Sequence, residues 1–188
     1  MKKKKILMIN GSLRKKSLNG QMAQMAAEFL GDRAETSMLD YSRVPLMNPD
    51  IEFPVPEAVQ QVRDAVKNAD GVWIFFPEYN YSYPGVLKNL LDWISRAVEK
   101  GALRTTAVSA GKPVTYSSVT GSTDAAKAFD KMYDLLKKIH MEIMDEHLVG
   151  ISDPKDPEGR LILSEEEKNK LKKQADAFLE FVDKNASL

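Results

Sequence analysis

The stretch Val72-Trp73-Ile74-Phe75-Phe76 decides the fold, because it is a continuous run of apolar residues that ends at Pro77. A short apolar run bounded by a turn residue is typical of a strand that is buried on both faces of a sheet. A second run of this kind, Ile6-Leu7-Met8-Ile9, leads directly into the turn residues Asn10-Gly11-Ser12. Strands buried on both faces occur in parallel sheets that helices cover on each side.

Working outward from these runs, strand-like and helical patterns alternate along the chain. Three more strands are predicted at Glu35–Leu39, Pro113–Ser118 and Met141–Met144, the last with a continuation at Leu148. Apolar residues at helical spacing predict five helices. Those residues are Met22, Met25, Ala26, Phe29 and Leu30; Val59, Val62, Val66 and Ala69; Leu87, Leu90, Leu91, Ile94 and Val98; Ala125, Ala128, Met132, Leu135, Leu136 and Ile139; and Leu171, Ala175, Phe178 and Val182.

Two helix starts carry a local signal of their own. Pro84 is placed as the first residue of its helix, and Ser164 with Glu167 forms a capping box before the last helix. Five strands alternating with five helices predict a doubly wound α/β fold with a parallel sheet and helices on both faces. Residues 1–188 are expected to form one domain, since no linker divides them. Ligands of such sheets bind beyond the carboxyl ends of the strands.

Composition excludes several classes of protein. The chain has 27 Lys and Arg against 27 Asp and Glu, so no basic excess suggests a nucleic-acid partner. Without cysteine there is neither a disulfide scaffold nor a cysteine nucleophile, and a cytoplasmic location is expected. No segment approaches the roughly 20 apolar residues of a membrane span. His140 and His147, the two histidines, have no carboxylates at metal-binding spacing around them.

The loop after the first strand has the composition of an anion site. It combines hydroxyls and an amide with the guanidinium of Arg14, ahead of a helix whose N–H groups and dipole favour negative charge. A planar guanidinium also matches phosphate oxygens. The alternative interpretation makes Ser17 or Asn19 a helix N-cap and Arg14 an ordinary surface residue.

The loops after the third and fourth strands suit a flat ligand. Tyr79, Tyr81 and Tyr83 alternate between two prolines, which predicts a stiff aromatic loop that either lines a ligand or covers the core. The small residues Ser117-Ser118-Val119-Thr120-Gly121-Ser122 would let a ligand approach the backbone, although such turns are common.

Taken together, two stretches resemble the NAD(P)H-dependent FMN reductase family, which includes quinone, chromate and azo-dye reductases. They are GSLRKKSLNG at residues 11–20 and PEYNYSYPGVLKNLLDW at residues 77–93, and GKPV at residues 111–114 also fits. The resemblance covers nearly the whole chain and implies a five-stranded sheet in the flavodoxin-like order 2-1-3-4-5. Many members carry a double glycine where this chain has Ser122-Thr123-Asp124.

The resemblance also implies which residues bind the cofactor FMN. The positions that match the phosphate site are Ser12, Arg14, Ser17, Leu18 and Asn19. Those that match the isoalloxazine ring site are Pro77, Glu78, Tyr79 and Asn80, largely through backbone groups, with Ser117 and Gly121 approaching the other side of the ring. No residue is predicted as a catalytic acid, since the flavin carries the chemistry.

The function that the resemblance implies is hydride transfer from NADPH or NADH through FMN to a small acceptor. The acceptor would be a quinone, an azo or nitro compound, a metal oxyanion or free flavin. Family members are commonly homodimers or homotetramers, and residues 86–98 and 125–139 are the expected interface, with Trp93 and Tyr133 as anchors unless Trp93 is a core residue. Two alternatives remain open, a flavodoxin-type electron carrier and a binding module that has lost the flavin.

Overall fold

The computed structural model describes residues 3–121, 125–146, 148–152 and 156–185. Its strands are β1 (Lys4–Asn10), β2 (Ala34–Met38), β3 (Gly71–Phe75), β4 (Pro113–Thr120), β5 (Glu142–Ile143) and β6 (Val149–Ser152). Its α-helices are α1 (Leu18–Leu30), α2 (Glu57–Asn68), α3 (Gly85–Ile94), α4 (Ala126–Lys138) and α5 (Glu165–Asn185). Short 3-10 turns lie at Gly31–Arg33, Pro49–Ile51 and Arg104–Thr106.

All strand pairs are parallel, and the order β2-β1-β3-β4-β5 confirms the prediction. The prediction of five strands needs a correction, because the position beside β4 is divided between two segments. Val114 pairs with Ile143 in β5, and Ser117 pairs with Val149 in β6. The charged residues Asp145 and Glu146 separate the two apolar runs, so the edge of the sheet is interrupted at that point.

Helices cover both faces of the sheet, as expected. Ile6 and Met8 of β1 face α1 and α5, whereas Leu7 and Ile9 face the layer of α2, α3 and α4. Because successive side chains of a strand point to opposite faces, a continuous apolar run is what a sheet with two covered faces requires. The strand at residues 71–75 obeys the same rule and is wholly buried.

One prediction for the third helix is wrong, and one alternative that the sequence left open is decided. The helix ends at Ile94, so Val98 lies beyond it and is 43% exposed. Trp93 is completely buried and its indole Nε1 donates to the carbonyl of Pro45 at 2.8 Å, so it is a core residue and cannot anchor an exposed interface. Pro84 precedes the helix as its N-cap residue. The capping box is confirmed, since Glu167 N donates to Ser164 Oγ and Ser164 N donates to the Glu167 carboxylate.

The described part of the chain lacks both a membrane-spanning helix and a metal-binding cluster. No helix there is long and apolar enough to cross a membrane. No group of three or more histidine, aspartate or glutamate side chains is placed there to hold a metal ion. His147 and the segment Ser122-Thr123-Asp124 lie outside the described residues.

Candidate functional site

Three loops meet at the carboxyl ends of β1, β3 and β4 and form a groove of about 140 Å³. The lining residues of this carboxyl-edge groove are Ser12, Arg14, Ser17, Leu18, Asn19, Pro77, Tyr79, Val119, Thr120 and Gly121. The first loop is held against the end of β3, because Gly11 N donates to Phe75 O at 2.7 Å. A Cβ atom on Gly11 would lie 2.7 Å from Cβ of Phe76, so this close approach requires glycine.

The first loop turns tightly into α1. Ser17 is the N-cap residue: its Oγ accepts from Gly20 N at 3.1 Å and donates to Asn10 Oδ1 at 3.2 Å. Asn10 Oδ1 also accepts from Ser12 N, so this one side chain fixes both ends of the loop. Among the described residues, the N–H groups of Leu18 and Asn19 bond to no other part of the chain. These two donors at the start of a helix suit an anion.

A buried tyrosine supports the loop from the opposite side. Tyr41 is 5% exposed, and its hydroxyl donates to the carbonyl of Asn10 at 2.6 Å. Burial raises the pKa of Tyr41 well above its usual value, so the phenol remains protonated and remains a donor at physiological pH.

Asn19 joins the first loop to the third. Its Nδ2 donates to Val119 O at 2.9 Å, and its Oδ1 accepts from Val119 N at 2.8 Å. The side chain is buried and is held by this pair of bonds. The amide of Asn19 therefore positions the end of β4, whereas its backbone N–H is the group available to a ligand.

Arg14 is the exposed cation of the groove. Its side chain takes part in none of the ion pairs between described residues. The side chain projects toward the segment that follows β6, since a Cβ atom on Gly159 would lie 4.0 Å from an Arg14 guanidinium nitrogen. An exposed guanidinium beside helix N–H groups is an arrangement suited to phosphate.

The second loop contains a tight turn. Tyr79 N donates to Ser82 O at 2.8 Å, and Ser82 N donates to Tyr79 O at 3.0 Å. The two central residues, Asn80 and Tyr81, have φ angles of 51° and 60°. Positive φ at both positions defines the type I′ turn of a two-residue hairpin. Tyr79 lines the groove and is 54% exposed, whereas Asn80 is exposed but does not line the groove.

Glu78 does not line the groove either. Its carboxylate accepts from Ala128 N at 3.1 Å, in the first turn of α4. The N-cap position of α4 is Ala125, whose side chain cannot accept a hydrogen bond, and Glu78 supplies the acceptor from another loop. The predicted ring-site residue is thus a residue that joins the second loop to α4.

Ser117 requires a correction, because it is completely buried beneath the site. Its Oγ accepts from Trp73 Nε1 at 3.0 Å and donates to Gln174 Oε1 at 2.8 Å. The hydroxyl therefore bridges the sheet to α5 and does not face a ligand. Val119 and Thr120 occupy the place that Ser117 was expected to fill, next to the predicted Gly121. The sequence signal for Thr120 was its position directly before the predicted turn.

A larger cavity, of about 560 Å³, lies at the opposite edge of the sheet. Six of its charged residues form three ion pairs: Lys3 with Asp32 at 3.1 Å, Lys4 with Asp183 at 2.7 Å and Arg33 with Asp176 at 2.7 Å. It lies at the amino ends of the strands, where open parallel sheets do not bind their ligands. The smaller carboxyl-edge groove is therefore the candidate site.

Comparisons with known proteins find related sequences and structures. The family model of NADPH-dependent FMN reductases matches residues 4–182. A quinone reductase of Escherichia coli (strain K12) is 31% identical over 189 positions, which cover 97% of each chain. A 2-hydroxy-1,4-benzoquinone reductase of Burkholderia sp is 40% identical over 92 residues, or 49% of this chain and 50% of that protein.

Among solved structures, FerB of Paracoccus denitrificans, a flavoenzyme NAD(P)H:(acceptor) oxidoreductase, is similar with a TM-score of 0.83. It is 28% identical, with 97% of this chain and 98% of FerB covered. A flavodoxin from the domain Archaea has a TM-score of 0.59 at 12% identity, covering 95% of this chain and 99% of the flavodoxin. The second similarity concerns the fold alone.

Proposed function

Since the chain belongs to the NADPH-dependent FMN reductase family, we propose that its carboxyl-edge groove binds FMN and serves the reduction of quinones. Membership makes the chain an oxidoreductase that uses FMN and a nicotinamide nucleotide as hydride donor. FMN held by these loops would supply the transfer of a hydride from the nicotinamide and of two electrons to the acceptor. The observation that carries the proposal is that the N-terminus of α1, which suits an anion, and the aromatic second loop line the same groove.

The phosphate of FMN is assigned to the first loop. Leu18, Asn19 and Arg14 line the groove, so two helix N–H groups and a guanidinium are the proposed donors to the phosphate, and Ser12 adds a hydroxyl. Ser17 serves chiefly as the N-cap that holds these donors in place. A terminal phosphate at this position has a helix dipole and a cation to stabilise its charge.

The isoalloxazine ring is assigned to the second and third loops. Pro77 and Tyr79 lie on one side of the groove, and Thr120 and Gly121 lie on the other. A Cβ atom on Gly121 would meet nothing within 4 Å, so the third loop leaves open space beside the ring. The shallow groove would leave one ring face open to solvent, and both nicotinamide and acceptor would use that face.

A quinone is the proposed acceptor because the relatives named as quinone reductases include one that matches 97% of the chain. None of the described residues that line the groove is a histidine, an aspartate or a glutamate. The protein therefore contributes binding, orientation and electrostatics, and no side chain is assigned as a catalytic acid.

The test begins with flavin binding. Protein freed of flavin is mixed with FMN and dialysed, and its absorption spectrum is expected to show one bound FMN per chain. Rapid mixing with NADPH should then bleach the flavin absorption, and a quinone should restore it. A protein that stays colourless would overturn the FMN site, and a yellow protein that NADPH does not bleach would be an electron carrier.

We also propose that residues 1–188 form one domain of a cytoplasmic homodimer or homotetramer. Exposed apolar side chains on the loops near α3 support self-association, since Leu46 is 82% exposed and Leu103 is 75% exposed. Tyr133 remains a proposed anchor on α4, where it is half-buried. A monomeric mass by light scattering at micromolar concentration would contradict this proposal.

A further inference from the structure

Tyr81 has a backbone conformation that a tyrosine rarely adopts. Its φ of 60° lies in the left-handed region, at the second central position of the turn between Tyr79 and Ser82. Type I′ turns favour Asn followed by Gly, so Asn80 fits its position whereas Tyr81 does not. The ring is 56% exposed, so burial in the core does not explain why an aromatic residue stands there. Unfavourable backbone conformations of this kind occur preferentially at functional sites.

A cation lies over the exposed ring. Lys127 Nζ is 4.3 Å from the centroid of Tyr81, which is cation–π geometry. Lys127 is the second residue of α4, and it forms no ion pair with a carboxylate of the described chain. The bond from Ala128 N to the Glu78 carboxylate fixes this helix start to the same loop as Tyr81.

The pair stands at the rim of the groove. Tyr79, two residues before Tyr81, and Gly121, which leads toward α4, both line the groove. An aromatic face and a positive charge therefore lie together, next in sequence to the loops to which the flavin ring is assigned.

We propose that Tyr81 and Lys127 form the acceptor-recognition element of the enzyme, and that they select flat aromatic quinones that carry a negative charge. This inference rests on the proposed function of the groove. Tyr81 would stack on the acceptor ring, and Lys127 would favour an anionic substituent such as an ionised hydroxyl or a sulfonate. In the reaction served, NADPH supplies a hydride and solvent supplies a proton, so that quinone becomes hydroquinone and NADPH becomes NADP⁺.

The role of Tyr81 is tested with Tyr81→Gly and Tyr81→Phe in the FMN-loaded enzyme. Glycine suits the positive φ, so the variant is expected to fold, and loss of stacking should lower kcat/KM for 1,4-naphthoquinone by about threefold to tenfold. Tyr81→Phe keeps the ring and should retain most of this activity. His140→Gly is the matched control for the backbone change, because His140 also has a φ of 60° but lies beyond the end of α4.

The role of Lys127 is tested by comparing a neutral quinone with an anionic one. The ratio of kcat/KM for 1,4-naphthoquinone-2-sulfonate to that for 1,4-naphthoquinone should fall by about twofold to fivefold in Lys127→Met. Lys131→Met, which removes an exposed cation one turn further along α4, should leave the ratio unchanged. Added salt should weaken the preference of the unaltered enzyme for the sulfonate and affect Lys127→Met less.

Two control measurements distinguish a failure of this inference from a failure of the proposed function. The absorption spectrum of bound FMN, and the reoxidation by O₂ of flavin that dithionite has reduced, should be unchanged in Tyr81→Gly and Lys127→Met, because O₂ has neither a ring nor a charge. If quinone kinetics are the same in Tyr81→Gly, or the sulfonate preference is the same in Lys127→Met, the recognition element is wrong while the FMN site stands. If the unaltered protein binds no FMN, the proposed function itself fails.

Discussion

Replacing Arg14 with alanine removes an exposed guanidinium from the groove region assigned to the FMN phosphate. Hydrogen bonds to a charged group contribute about 1.5–3 kcal/mol each, and the exposed position of Arg14 argues for one such contribution, not for several. Because each 1.4 kcal/mol is a factor of ten, the affinity for FMN should fall by roughly tenfold to a hundredfold. Riboflavin lacks the phosphate, so its affinity should scarcely change.

The structure also sets the expected effect on folding. The Arg14 side chain forms no ion pair with the described residues, and the loop is held by Asn10 and Ser17 instead. The free energy of unfolding of the flavin-free protein should therefore change by no more than about 0.5 kcal/mol. Arg104→Ala, which removes an exposed arginine from a turn after α3, is the control for the change in net charge.

Titration calorimetry of the flavin-free protein with FMN and with riboflavin measures the first effect, and denaturant unfolding measures the second. Equal weakening of both ligands would mean that Arg14 shapes the loop without touching the phosphate. Unchanged FMN affinity would remove Arg14 from the site, and a large loss of stability would contradict its description as an exposed residue.

Three further predictions follow from particular contacts. Glu78→Ala removes the acceptor for Ala128 N and should lower the free energy of unfolding by about 1 kcal/mol, whereas Glu78→Gln should retain most of it in denaturant unfolding. The hydrogen bonds from Arg96 lower the pKa of Glu52 in the folded protein. The stabilisation that this pair provides is therefore present above the pKa of an unfolded glutamate, about 4.3, and is lost as the pH falls through the folded pKa. In Glu52→Gln the free energy of unfolding should therefore fall less steeply as the pH is lowered. A dependence on pH equal to that of the unaltered protein would contradict this role of Glu52. If nicotinamide and quinone share one ring face, initial rates should give parallel double-reciprocal lines, whereas intersecting lines would indicate a ternary complex.

The parts of the fold that were predictable are those that local patterns determine. The runs at Ile6–Ile9 and at Val72–Phe76 specify buried strands because both faces of the sheet are covered. The turn after the first run and the N-cap Ser17 are likewise set within a few residues of one another. The division of the sheet edge at Asp145 and Glu146 is also visible in the sequence, although its consequence for pairing depends on β4.

The errors at the site concern partners that are distant in the sequence. Ser117 is bonded to Gln174, and Glu78 is bonded to Ala128, so neither side chain is free to follow the local pattern of its loop. Asn10 was not singled out, because its importance comes from accepting hydrogen bonds from both Ser12 and Ser17 in the folded loop. Sequence motifs therefore predict which loops lie at the carboxyl ends of the strands, whereas the direction of each side chain depends on tertiary contacts.

These distant contacts also bear on the proposal that this shallow groove binds FMN. Gly11 N bonded to Phe75 O, and Asn19 bonded to Val119, hold the three loops together by contacts that form on folding. The helix donors are thus already oriented before the cofactor arrives, and the entropy of ordering them does not weaken binding. The side chains left to become ordered are the exposed Arg14 and Tyr79. A substitution at a loop contact such as Asn19 should therefore weaken FMN and riboflavin alike, in contrast to one at Arg14.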